Sequence, residues 1–162
     1  MKTILLALAL LAAMPQRELR AGEKGDRHVA AGYVYNSRED YHGAWVESGF
    51  RVFRGAELAT AYSKFADPYR YQEVSAALRV PLLRIQRFEG GPEAGYAIGS
   101  YTDTDGDQAK GGVTRTWLAG AAAQIRIGSG WSWQMRCDLV NPRTGGYKDD
   151  RLRMHFGLRF DF

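Results

Sequence analysis

The sequence predicts an all-β fold, eight antiparallel strands running up and down around a closed barrel, and three observations predict it. The final stretch, Arg151 to Phe162, alternates strictly: Leu152, Met154, Phe156, Leu158, Phe160 and Phe162 share one face, and Arg151, Arg153, His155, Gly157, Arg159 and Asp161 share the other. Connections between the alternating segments are short and long by turns. Strand after strand, apolar residues collect on one face and charges on the opposite one.

The first element is not part of that fold. Met1-Lys2 is a short basic start, Ile4 to Met14 is an unbroken apolar run, and Ala21 supplies a small residue after Leu19-Arg20. A run of this length is too short to span a bilayer as a helix and suits the core of an export signal. Residues 1–21 are therefore expected to be removed, and no Cys follows the run to make a lipoprotein signal. The remaining residues, 22–162, form one domain by length and hold no second apolar stretch fit for a helical span. Such a chain is still integral to a membrane if it closes into a barrel, where the sheet pairs every backbone group.

Turn signals place the strands near 29–36, 43–54, 55–64, 71–81, 93–101, 113–127, 131–139 and 151–162. The links at Arg54-Gly55 and Gly128-Ser129-Gly130 are tight. Those at Ser37–His42, Phe65–Arg70, Thr102–Gly112 and Val140–Asp150 are longer and polar. Short turns at one end and longer loops at the other are the plan of outer-membrane barrels. The segment Leu82 to Pro92 fits neither class, and Pro81 interrupts the alternation before it. Either the fourth strand continues past a bulge, or this is an extended connection.

One face collects Tyr33, Tyr35, Val46, Phe50, Val74, Leu78, Ile98, Trp117, Ile125, Trp131, Trp133 and Met135 among others. An apolar band edged by Trp and Tyr is what a lipid-facing surface needs, so the barrel is expected to be transmembrane. The opposite face collects six acids, Glu47, Glu57, Glu73, Glu93, Asp138 and Asp161, and six bases, Arg51, Arg79, Arg126, Arg136, Arg153 and Arg159. Enclosed in a narrow eight-stranded lumen, these charges can neutralise one another, which implies a plugged interior and not an open pore. Inward glycines and alanines such as Gly49, Ala61, Gly95 and Gly157 leave room for the long side chains. In a soluble exported sandwich or binding barrel the same charged face would meet water, and that is the alternative placement.

Cys137 is the single cysteine, so no intrachain disulfide forms; its parity puts it beside Met135 and Leu139 on the apolar face. The net charge of +4 is spread singly along strands, without the basic stripe and interleaved aromatics that nucleic acid requires. No motif calls for a cofactor.

A terminal Phe with apolar residues at every second preceding position, here Phe156, Leu158, Phe160 and Phe162, resembles the signal read by the bacterial barrel-assembly machinery. With the strand count, loop asymmetry and charged lumen, residues 29–162 resemble the small eight-stranded outer-membrane barrels of the OmpX, Ail, Lom and OmpA-barrel type. The resemblance is architectural and selects no member. It implies an outer-membrane location, contact with lipid and lipopolysaccharide, and action through outer loops in attachment, protection or envelope integrity.

Some barrels of this group are lipid A enzymes, acyl hydrolases or transferases. The PagL-like His-x-Ser element is missing: the histidine contexts are His28-Val-Ala, His42-Gly-Ala and His155-Phe-Gly. The Asp-Ser dipeptide of PagP-like transferases is also missing. His28 is expected before the first strand, His155 in the lumen and His42 in the first outer loop, so only His42 could reach a lipid headgroup as a catalytic base. Asp103, Asp105 and Asp107 alternate in the third outer loop at a spacing that suits Ca²⁺, but Gln108 and Thr114 stand where a calcium loop of the helix-loop-helix kind needs Gly and Glu. In the fourth loop, Arg143, Tyr147, Lys148, Asp149 and Asp150 are candidates for contact with a surface ligand.

Overall fold

The structure, a computed structural model, describes residues 26–37, 41–53, 55–66, 71–103, 110–142 and 151–162. Its elements are β1 Arg27–Asn36, β2 Tyr41–Arg51, β3 Glu57–Phe65, β4 Gln72–Arg79, β5 Leu83–Ile85, β6 Phe88–Asp103, β7 Lys110–Arg126, β8 Trp131–Pro142 and β9 Arg151–Asp161. Every pairing is antiparallel and joins neighbours along the chain, except that β4 pairs with β6 and that β1 also pairs with β9 and closes the ring. Because β4 and β5 both pair with β6, they are two halves of one stave, and the barrel has eight.

Paired residues can be followed around the wall from Arg27 through Phe50, Leu58, Leu78, Ala94, Ala119, Leu139 and Leu152. The path returns to the first stave at Ser37, whose N–H donates to the Leu152 carbonyl, ten residues beyond its start. That stagger tilts the strands by about 40° and leaves a lumen that side chains can fill.

Leu82 to Pro92 is settled by the register. Arg79 pairs with Glu93 and Leu83 with Gly90, so Val80, Pro81 and Leu82 face only Gly91 and Pro92. This is a bulge, with Pro81 at a position where no N–H is needed. The extra residue reverses the alternation: Val80 points outward before it, and Leu83 and Ile85 point outward after it, with Arg84 turned toward the mouth. A two-residue turn at Gln86-Arg87, with Gln86 at φ 51°, then starts β6 at Phe88 and not at residue 93.

Other boundaries shift by a few residues, and two of the shifts move a histidine into a strand. β1 begins at Arg27 and therefore contains His28, and β2 begins at Tyr41 and contains His42. The first outer link thus shrinks to residues 37–40, no longer than the inner links 52–56 and 127–130; the links 66–71, 104–109 and 143–150 are the longer ones. The end carrying links 52–56, 86–87 and 127–130 is called the turn end below, and the opposite end the loop end.

The core is the lumen itself. Gly32 and Gly157 lie opposite one another in register on β1 and β9. A Cβ on Gly157 would lie 2.8 Å from the Trp45 ring and 2.3 Å from the Ala31 carbonyl oxygen, so only glycine lets the indole lie across this part of the wall. Outside, Val46, Ile98, Trp117, Met135 and Leu139 are each about half exposed.

Candidate functional site

Of the twelve charged residues on the inward face, nine are buried: Glu47, Glu57, Glu73, Glu93, Asp138, Arg79, Arg136, Arg153 and Arg159. Arg51 and Asp161 are partly exposed and Arg126 is exposed, because all three stand at the turn-end mouth.

Glu47 is the hub of the buried set. It accepts from both terminal nitrogens of Arg79, at 2.7 and 2.5 Å, from Arg136 at 3.0 Å and from the Gln134 amide at 2.9 Å, and it pairs with His28 Nε2 at 3.1 Å. Arg136 donates to Glu93 through Nε at 2.8 Å and through a terminal nitrogen at 2.5 Å, and reaches Asp138 at 3.2 Å. Arg79 also donates to Glu93 and, at 3.0 Å, to Glu57. Arg159 closes the set by donating to Glu57 and Asp161, both at 2.7 Å. Shared, charge-assisted bonds of this kind are the geometry in which buried ions keep their partners.

Nearer the loop end, Arg153 donates to Glu73, and the Tyr71 hydroxyl donates to Glu73 at 2.7 Å and bonds Thr114 at 3.0 Å. The Arg153 guanidinium lies 5.3 Å from the centre of the Phe65 ring. Around this pair the lumen gains apolar side chains: Val34, Tyr41, Trp45 and Phe65 form one buried cluster, and Ala97, Leu118 and Val140 another. His155 packs edge-on against Trp45. Sequence reasoning missed this aromatic layer, although the inward parity of Trp45 and Phe65 signalled it.

His28 is not ahead of the barrel but inside it, 1% exposed, because β1 starts earlier than expected. It stands with Glu47 and Glu57 in a cluster whose ligand-type atoms lie within 4.8 Å of one another. Arg79, Arg136 and Arg159 already occupy those carboxylates, so a cation there would have to displace guanidinium groups.

His42 lies on the outer surface of β2, hydrogen-bonded by the Tyr33 hydroxyl and packed against the Tyr33 and Tyr35 rings. Phe156, Leu158, Phe160 and Phe162 line the outer face of the last stave, and Phe160 packs against Trp131 and Phe162. Cys137 is exposed on the same surface. Asp105, Asp107 and the fourth-loop residues 143–150 lie outside the described residues, and of Asp103 only its place at the end of β6 is described.

No protein-family model and no curated protein matches the sequence. Solved structures do match. The N-terminal β-barrel domain of Pseudomonas aeruginosa OprF superposes with a TM-score of 0.70 at 14% identity, covering 86% of this chain and 100% of that one. This chain has the fold of a small outer-membrane β-barrel. Neisserial surface protein A gives a TM-score of 0.64 at 11% identity, over 87% of this chain and 100% of its own. The barrel also resembles Ail, the attachment invasion locus protein of Yersinia pestis, with a TM-score of 0.51 at 10% identity over 86% of this chain and 99% of that one. At such identities the likeness is one of fold.

Proposed function

We propose that the chain is an integral outer-membrane protein with a plugged lumen, and that it acts at its loop end in surface attachment, protection or envelope integrity. One observation carries the reading: large apolar side chains are exposed all round the wall, while the interior buries nine charged groups among the described residues. A soluble fold inverts that arrangement, and in water such a surface would drive association. In a bilayer it is the solvated face. On this reading residues 1–21 are cleaved on export, Phe156, Leu158, Phe160 and Phe162 serve the barrel-assembly machinery, and lipopolysaccharide borders the loop end.

Heat modifiability tests it. The detergent-folded protein is expected to migrate differently on a gel before and after boiling, and deletion of Phe162 is expected to abolish outer-membrane assembly in cells. A water-soluble protein with no shift sinks the membrane placement. Planar-bilayer recordings are expected to show no discrete conductance, since the Glu47, Arg79, Glu93 and Arg136 side chains span the interior.

The second reading, lipid A modification, is tied to His42, which faces the lipid side of the wall beside the Tyr33 hydroxyl. Lipid A mass spectra from cells with and without the protein decide it, and identical spectra remove it.

A further inference from the structure

We propose that the turn-end mouth is a binding site for a phosphate ester. The paired interior stops at Arg159, which holds Asp161 through two nitrogens at 2.9 and 2.7 Å. Beyond it the lumen widens into a vestibule of about 680 Å³. That is the size of a pocket for a small organic ligand and far larger than a bare ion needs.

Its lining carries four arginines against two acids, Glu89 and Asp161, and Asp161 is held by Arg159. Arg51, Arg84, Arg87 and Arg126 all line it, brought from β2, β5, the following turn and β7. The bulge at Pro81 is what turns Arg84 toward the mouth. Glu89 is shared by Arg84 at 3.4 Å and Arg51 at 3.9 Å, both longer than a charge-assisted bond. The Arg87 and Arg126 guanidinium groups have no side-chain partner among the described residues. At the floor, the Gln124 side-chain oxygen is buried without a hydrogen bond, and its amide can equally present the NH₂ as a donor.

The arrangement selects among anions. Guanidinium forks reaching in from different staves suit a tetrahedral group that offers oxygens in several directions, more than a planar carboxylate. The volume, far beyond what a bare phosphate fills, suits an ester with an organic body. A phospholipid headgroup and a soluble phosphate ester share this chemistry.

The test uses the full chain folded in detergent. Glycerol phosphate is titrated by calorimetry, and phosphatidylglycerol retention against phosphatidylcholine is read by native mass spectrometry. Arg87→Gln and Arg126→Gln are each expected to weaken binding about tenfold, whereas Arg115→Gln, on the outer face of β7, leaves it unchanged. Glycerol phosphate binding lost in the two vestibule variants identifies a soluble ester; retention of phosphatidylglycerol alone, lost in the same variants, identifies a headgroup. On the unaltered protein, inorganic phosphate is expected to compete with whichever probe binds, and chloride at equal ionic strength is not. Failure of both probes to bind, or vestibule variants that bind as the parent does, overturns the site. A heat-modifiable barrel that binds neither probe leaves the membrane reading standing.

Discussion

The lumen is filled by two different chemistries along its axis. Toward the turn end, Glu47, Glu93, Arg79 and Arg136 reach across from β2, β6, β4 and β8 and meet in one network. Toward the loop end, Val34, Tyr41, Trp45 and Phe65 pack on β1, β2 and β3, with Leu118 and Val140 in a separate cluster on β7 and β8. The ionic layer joins opposite walls, so its members depend on one another. The aromatic layer joins neighbouring strands and depends on volume. Sealing at the turn end is therefore a matter of charge balance, and at the loop end of packing.

The sharpest way to break the comparison is Glu47→Leu. It leaves Arg79 and Arg136 short of a buried counter-ion, and a loss of about 3–5 kcal/mol is expected in urea unfolding of the reconstituted protein; a loss under about 1 kcal/mol would mean the layer is not interdependent. Trp45→Ala removes the largest side chain of the aromatic layer and is expected to lower stability by about 3 kcal/mol. Its second signature is silence in planar bilayers, because the ionic layer still closes the path; discrete conductance from this variant alone would place the seal at Trp45. Met135→Arg changes neither layer and tests the outer wall. About 2 kcal/mol is expected to be lost in lipid vesicles, the range for a cation on a lipid-facing strand, and an unchanged midpoint would argue for a water-facing surface. Cys137→Ala, beside it on β8, is expected to shift stability by less than about 1 kcal/mol. A lipid-phase maleimide should label Cys137 in vesicles while a membrane-impermeant one does not.

The charged layer was legible because parity sorts Arg and Glu onto one face, and period-two alternation needs no knowledge of neighbours. The aromatic layer was harder to read. Trp45, Val34 and Leu118 are apolar residues at inward parity, and an apolar residue in a membrane strand is first read as lipid-facing. Only the register, which sets Gly157 beneath the indole, shows that the lumen has room for Trp45. The vestibule was invisible for a related reason. Its lining depends on a one-residue insertion at Pro81, and sequence spacing alone left two paths for residues 81–92. The mouth residues Arg51, Arg126 and Asp161 share parity with the buried set, and depth along the axis separates them.

The span of the ionic layer also bears on how the wall comes together. Glu47 meets Gln134 and Arg136 across sequence separations of 87 and 89 residues. Hairpins along the wall can form from nearby segments, but these bonds exist only once β1 has met β9 and the ring is complete. A half-closed sheet would leave Glu47 with Arg79 but without Arg136 and Gln134, and Arg136 with Glu93 but without Glu47, and moving such incompletely paired groups away from water is unfavourable. The bonds made only at the last seam thus reward closing the ring while the concave side of the sheet is still wet.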